Sequence, residues 1–93
     1  MQELTHYING AHVAGASGRF SNVYNPATGE VQAKVPLASA DEMAQAVEIA
    51  AAAQVAWGAV NPQRRARVMM KFIDLLNRDM DALAEALSRE HGK

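Results

Sequence analysis

The sequence predicts an α+β chain in which two amino-terminal β-hairpins precede three α-helices. Two observations carry this reading. Over the first forty residues, β-favouring side chains are interrupted at short intervals by turn-forming dipeptides. From Ser39 onward the apolar residues recur at the three-and-four spacing of amphipathic helices. The length of 93 residues allows one small domain at most. Although 49% of the side chains are hydrophobic, there is one Trp, two Tyr and two Phe. A core so thin in rings favours helices that pack against something outside themselves.

The hairpins are expected within residues 5–37. Asn9-Gly10 lies between Tyr7-Ile8 and His12-Val13, and an Asn-Gly pair readily takes the two positive φ angles of a tight hairpin turn. Gly15-Ala16-Ser17-Gly18 reads as a connector. Phe20 to Tyr24 and Glu30 to Val35 then flank Asn25-Pro26-Ala27-Thr28-Gly29, where proline presets φ and Gly29 tolerates a left-handed angle.

The helices are expected at about 40–57, 62–78 and 80–91. Ser39-Ala40-Asp41-Glu42 fits a capping box, in which the serine oxygen and the glutamate carboxylate satisfy amides at a helix start. Met43, Ala46, Val47, Ala50, Ala53 and Trp57 follow at helical spacing, with Gly58 placed to end the helix and Trp57 placed as a core anchor. Asn61-Pro62 opens the second helix, since proline at the first helical position loses no hydrogen bond. Ala66, Met69, Met70, Ile73 and Leu76 form one apolar stripe, and Val68, Phe72 and Leu75 a second, so this helix has two neighbours to satisfy. The third helix, from Asp79 or Asp81, carries Met80, Leu83, Ala84 and Leu87 on one face and has Gly92 at its end.

Composition excludes several classes. A net charge of −1 gives no overall field for nucleic acid or an anionic membrane. With no cysteine there is neither a disulfide framework nor a thiolate metal site. The start, Met-Gln-Glu-Leu-Thr-His-Tyr, lacks the basic and apolar pattern of a secretory signal, and no apolar run approaches a membrane span. The expectation is a soluble, cytoplasmic chain. His6, His12 and His91 lack companions at metal-ligand spacing, so no metal site is expected. The glycines at 10, 15, 18, 29, 58 and 92 are spaced as turns and caps, and none belongs to a phosphate-cradling turn. No catalytic or cofactor-binding residue is assigned. The one candidate contact is Arg64, Arg65 and Arg67, three cations in a first helical turn where the helix dipole prefers acids. A solvated face or salt bridges would account for them; the functional alternative is an anion, such as a CoA phosphate or a neighbouring subunit's carboxylates.

Tyr7-Ile8-Asn9-Gly10, Asn25-Pro26-Ala27-Thr28-Gly29-Glu30, Val35-Pro36-Leu37-Ala38, Ala46-Val47, Trp57, the Arg-rich helix and Glu90-His91-Gly92-Lys93 occur in one order along the chain. In that order they resemble the amino terminus of aldehyde dehydrogenases over essentially all 93 residues. Ser17-Gly18-Arg19, Val35-Pro36-Leu37-Ala38 and Glu90-His91-Gly92-Lys93 look most like the CoA-acylating methylmalonate-semialdehyde dehydrogenases. The resemblance implies a segment of a larger α/β enzyme, residues 1–93 being the amino-terminal part of its NAD-binding domain. It also implies NAD as oxidant, CoA as acyl acceptor, and a homo-oligomer, by analogy a tetramer. In such enzymes a cysteine attacks the aldehyde and hydride leaves to the nicotinamide. No residue of this chain is a candidate for that step, so the expected role is scaffold and subunit contact. The alternative from another class is a free-standing helical interaction module.

Overall fold

The computed structural model describes residues 2–93. Two antiparallel hairpins and three helices are present, with one further short strand. The strands are β1 (Gln2–Glu3), β2 (His6–Ile8), β3 (Ala11–Val13), β4 (Phe20–Tyr24) and β5 (Val31–Pro36). The helices are α1 (Ala40–Ala59), α2 (Pro62–Arg78) and α3 (Met80–His91).

β2 and β3 pair as His6↔Val13, Tyr7↔His12 and Ile8↔Ala11, in a two-stranded sheet of their own. Asn9 and Gly10 take φ of 56° and 74°, the two positive angles that their sequence predicts. Across the pair, the Tyr7 and His12 rings meet edge to face at 5.2 Å. β4 and β5 form the second hairpin, with an irregularity between Val23 and Tyr24. Its loop is closed locally: Asn25 Oδ1 accepts the Ala27 amide at 2.9 Å, the Gly29 amide donates to the Asn25 carbonyl at 2.8 Å, and Gly29 has φ 77°. β1 adds to the other edge of β5 in parallel, giving the order β1-β5-β4. Its two polar residues show no apolar alternation, so sequence periodicity does not mark it.

All three helix starts follow from side-chain chemistry or its absence. Ser39 Oγ accepts the Glu42 amide at 3.1 Å while Glu42 Oε1 accepts the Ser39 amide at 3.0 Å, completing the capping box. Asn61 Oδ1 accepts the Arg64 amide at 2.9 Å, with Pro62 behind it. Asp79 makes no capping bond to α3, because both of its carboxylate oxygens accept from the Arg78 guanidinium at 2.9 Å. The expected stop of α1 at Gly58 is not observed: the helix continues through Gly58 to Ala59. Pro62 is the physical reason, since it forces Asn61 out of the helical region (ψ 153°), and Val60 before it is also extended (ψ 136°). α1 and α2 are consequently bent by 117° to one another.

The molecule is an open plate of 48 × 35 × 16 Å. Its radius of gyration is 16.9 Å, whereas a compact chain of this length has about 12 Å. Its surface is 7516 Å², against ~5,200 Å² for a compact monomer of this mass. Among the described residues only Ala33 and Pro36, both in β5, are buried. Trp57, expected as a core anchor, is 42% exposed, because no element among the described residues packs extensively along α1. Met43, Val47, Met70, Ile73 and Leu87 are exposed as well. Each such side chain, a little over half exposed, forgoes about 1–2 kcal/mol relative to full burial.

Two measurements test this description. The isolated chain should bind a hydrophobic dye strongly and self-associate at micromolar concentration; a cooperative melt from a monomer without dye binding would contradict it. Gly15 is a packing position, since a Cβ there would lie 2.8 Å from Pro36 Cβ. Gly15→Ala should therefore lower stability by about 1–3 kcal/mol in denaturant titrations of the full gene product.

Candidate functional site

Three features of the structure bear on function: the junction at Glu42, the cationic side of α2, and the uncovered apolar helix faces. The Glu42 carboxylate joins separate parts of the chain. Oε1 accepts the Ser39 amide, as above, and Oε2 accepts the Ala16 amide at 3.1 Å and lies 3.6 Å from His6 Nε2. The side chains of His6 and Glu42 are 19% and 16% exposed. Around this point Ser17 Oγ donates to the Leu37 carbonyl, and Arg19 Nη2 donates to the Ala38 carbonyl at 3.2 Å. The Ser39 and Ala16 amides, followed by the Ser39 hydroxyl and His6, hold the Glu42 carboxyl below its ordinary value of 4.5. Sequence reasoning found the local half of this junction, the capping box. The links to Ala16 and His6 span tens of residues and leave no local pattern.

A cleft of about 400 Å³ opens beside the junction, between the first hairpin and α1; Ile8, Val13, Ala46 and Ile49 supply its apolar wall, and Asn9, Glu42 and Gln45 its polar groups. No nucleophile with an adjacent base faces it. His12, the other histidine of this hairpin, has Nδ1 2.9 Å from Thr5 Oγ1.

The structure divides the arginine cluster. By helical spacing, Arg64, Arg67, Lys71 and Arg78 fall on one side of α2, while Arg65, one position further round, falls between the two apolar stripes. Arg64 and Arg67 are exposed. Arg65 is half-buried, and its Nε is shielded without a hydrogen-bond acceptor among the described residues. None of the three has an ion-pair partner among the described residues, so the salt-bridge explanation is not realised within this chain.

The residues present do not fit a dinucleotide. The start of α1 is filled by its own Ser39 and Glu42 and carries Asp41 in its first turn, which opposes a pyrophosphate. Gly10 and Gly29 close hairpin turns and Gly92 caps α3, so no glycine-lined cradle faces a helix start.

The chain belongs to the aldehyde dehydrogenase family, whose family model matches residues 12–93. It is 42% identical, over all 93 residues, to a malonate-semialdehyde dehydrogenase of Pseudomonas aeruginosa, and 42% identical over 90 residues to malonate-semialdehyde dehydrogenase 1 of Geobacillus kaustophilus. Among solved structures it matches a Sinorhizobium meliloti protein described as a methylmalonate-semialdehyde dehydrogenase, complexed with NAD. That match has 65% identity and a TM-score of 0.94 over 98% of this chain. The chain spans 18% of the length of each of these three proteins.

The lowered Glu42 carboxyl sets a pH dependence. Its contribution is fully present above pH 4.5, the ordinary glutamate value, and is lost as pH falls through the lower folded value. Amide exchange at Ala16 should therefore stay protected at neutral pH and lose protection in acid, whereas in Glu42→Gln it should be weakly protected at both. Ser39→Ala should cost about 1 kcal/mol through loss of the cap.

Proposed function

We propose that these residues are the amino-terminal part of an NAD-dependent, CoA-acylating malonate- or methylmalonate-semialdehyde dehydrogenase, and that their role in it is scaffold and subunit contact. The observation that carries this reading is the match at 65% identity and TM-score 0.94 to a protein five times longer that binds NAD. When bound to the whole enzyme, NAD supplies the hydride acceptor. This chain contributes no residue to that step: it has no cysteine, and its α1 start and its glycines do not fit the cofactor. The hairpins and helices belong, in this reading, to the NAD-binding domain, with their apolar faces turned to the remainder of the polypeptide. The enzyme is a homo-oligomer, a tetramer by family analogy, acts in the cytoplasm, and has no nucleic-acid or membrane partner.

The cationic side of α2 takes the subunit or acceptor contact. Arg64 and Arg67, with Lys71 one further turn along, present three cations away from the apolar stripes, where carboxylates of a second subunit or the phosphates of CoA would complete them. Arg65 instead falls, by helical spacing, between the two apolar stripes, placed to meet an acceptor of the parent enzyme at its own Nε.

The full gene product should reduce NAD with malonate semialdehyde or its methyl homologue and form a CoA thioester. The 93-residue chain alone should do neither. Absence of thioester formation, with aldehyde oxidised to free acid, would remove the CoA-acylating assignment. Arg64→Glu combined with Arg67→Glu in the full product should either dissociate the oligomer in sedimentation or raise the CoA KM several-fold. Unchanged assembly with unchanged CoA dependence would overturn the contact.

A further inference from the structure

The Asn9-Gly10 turn has chemistry that the scaffold role does not use. The chain has five asparagines, and the residue after each decides what its side chain can do. Asn25 and Asn61 precede prolines, whose nitrogens carry no hydrogen and cannot attack the side-chain amide. Asn22 is paired with Lys34 in the three-stranded sheet, and β-branched Val23 follows it. Asn77 is in the last turn of α2, where the next amide belongs to the helical ladder. Asn9 alone precedes glycine, in an exposed turn. No atom beyond the immediate chain neighbours lies within 4 Å of where a Gly10 Cβ would stand, so the approach is open.

The hairpin that holds this turn is also the weakest sheet of the molecule. It has three residue pairs and, among the described residues, no third strand, and a lone two-stranded hairpin is marginal in water. Local opening releases Asn9 from its left-handed angle and lets the Gly10 nitrogen approach the Asn9 side-chain carbonyl carbon.

We propose that Asn9 is a site of spontaneous deamidation. The Gly10 backbone nitrogen loses its proton and bonds to Asn9 Cγ, the Cγ–Nδ2 bond breaks, and ammonia leaves. Water then opens the resulting succinimide at either carbonyl. The net change consumes one water and releases one ammonia, leaving aspartate or, where the chain now runs through Cβ, isoaspartate. No oxidant, reductant or metal takes part. The product carboxylate stands at the cleft that Asn9 shares with Glu42, and like charges there oppose one another. Isoaspartate also adds a backbone atom to a two-residue turn whose length sets the strand register. The His6↔Val13 and Ile8↔Ala11 register is then lost, and with it the hold of His6 and Ala16 on Glu42.

The test uses the full product of the coding sequence, incubated natively at mildly alkaline pH and digested with trypsin, which cuts after Arg19. Isoaspartate is located by electron-transfer fragmentation and by isoaspartyl methylation. Conversion at position 9 should accumulate several-fold faster than at Asn22 or Asn77, disappear in Asn9→Gln, and be accompanied by lost amide protection at Ala16. The proposal is overturned if Asn9 stays intact in the native protein while the free 1–19 peptide converts in the same buffer, or if Asn22 and Asn77 convert as fast. Neither result depends on whether the full product is a dehydrogenase.

Discussion

The constraint on which this structure turns is apolar area that the chain itself does not cover. Most of a helix's stability in a protein comes from packing its apolar face, not from intrinsic propensity. Here Met43, Val47, Met70, Ile73 and Leu87 face outward, and the two buried residues, Ala33 and Pro36, belong to a strand. What defines the helices within the chain is their ends. A capping box starts α1, Asn61-Pro62 both stops α1 and starts α2, and Gly92 closes α3 at φ 79° with its amide on the Ser88 carbonyl. Such devices set where a helix begins and stops. They do not supply the burial that would hold it against a neighbour.

The open plate is nevertheless pinned at both ends of its helical run. At one end Glu42 ties α1 to the hairpin connector through Ala16 and to β2 through His6. At the other, Gln32 Nε2 of β5 donates to the Arg89 carbonyl at 2.8 Å, and Gly92 approaches Pro26 so closely that a Cβ would lie 3.0 Å from the proline ring. The three helices therefore leave the sheet after β5 and return to it at the β4–β5 loop, with their middle unsupported. This is the geometry of a frame whose interior is supplied by other parts of a larger fold. The match to a relative of which the chain makes up 18% fits that geometry, since a frame can be superposed closely without being compact.

The parts legible in the sequence are those governed by local chemistry. Asn9-Gly10, Asn25 to Gly29, Ser39 to Glu42 and Asn61-Pro62 each act within a few residues, and each appears in the structure as the turn or cap its residue types imply. Positions decided at long range were not legible. β1 exists because β5 offers it a free edge, and its Gln-Glu sequence carries no period to mark it. Gly58 looked like a stop because glycine is a poor helix former, yet Pro62 four residues later decides the end of α1 by excluding Asn61 from the helical region. Trp57 had the spacing of a core residue and is left 42% exposed. The apolar pattern was read correctly as a face, but a pattern does not say which molecule or segment covers it.

α2 shows why a single additional neighbour would not complete the fold. Its apolar arc carries two stripes, while Arg64, Arg67, Lys71 and Arg78 lie opposite, and the surface that suits one side is wrong for the other. Of these four cations Arg78 alone has an ion-pair partner among the described residues, Asp79. The acids of α3 do not reach the remaining cations, Glu85 being paired with Arg89 of its own helix. A near-neutral total of −1 thus hides a local excess of positive charge on one helix side, and total charge is a poor guide to such a surface. Burying the apolar arc against protein leaves the cations at the periphery of the domain, where another subunit or a soluble anion can meet them. By helical spacing Arg65 lies between the two apolar stripes, and its Nε is shielded, so covering the apolar arc would desolvate it further. Its cost falls only if the covering surface brings an acceptor, which makes Arg65 the position where the fit between this frame and its filling is most narrowly specified.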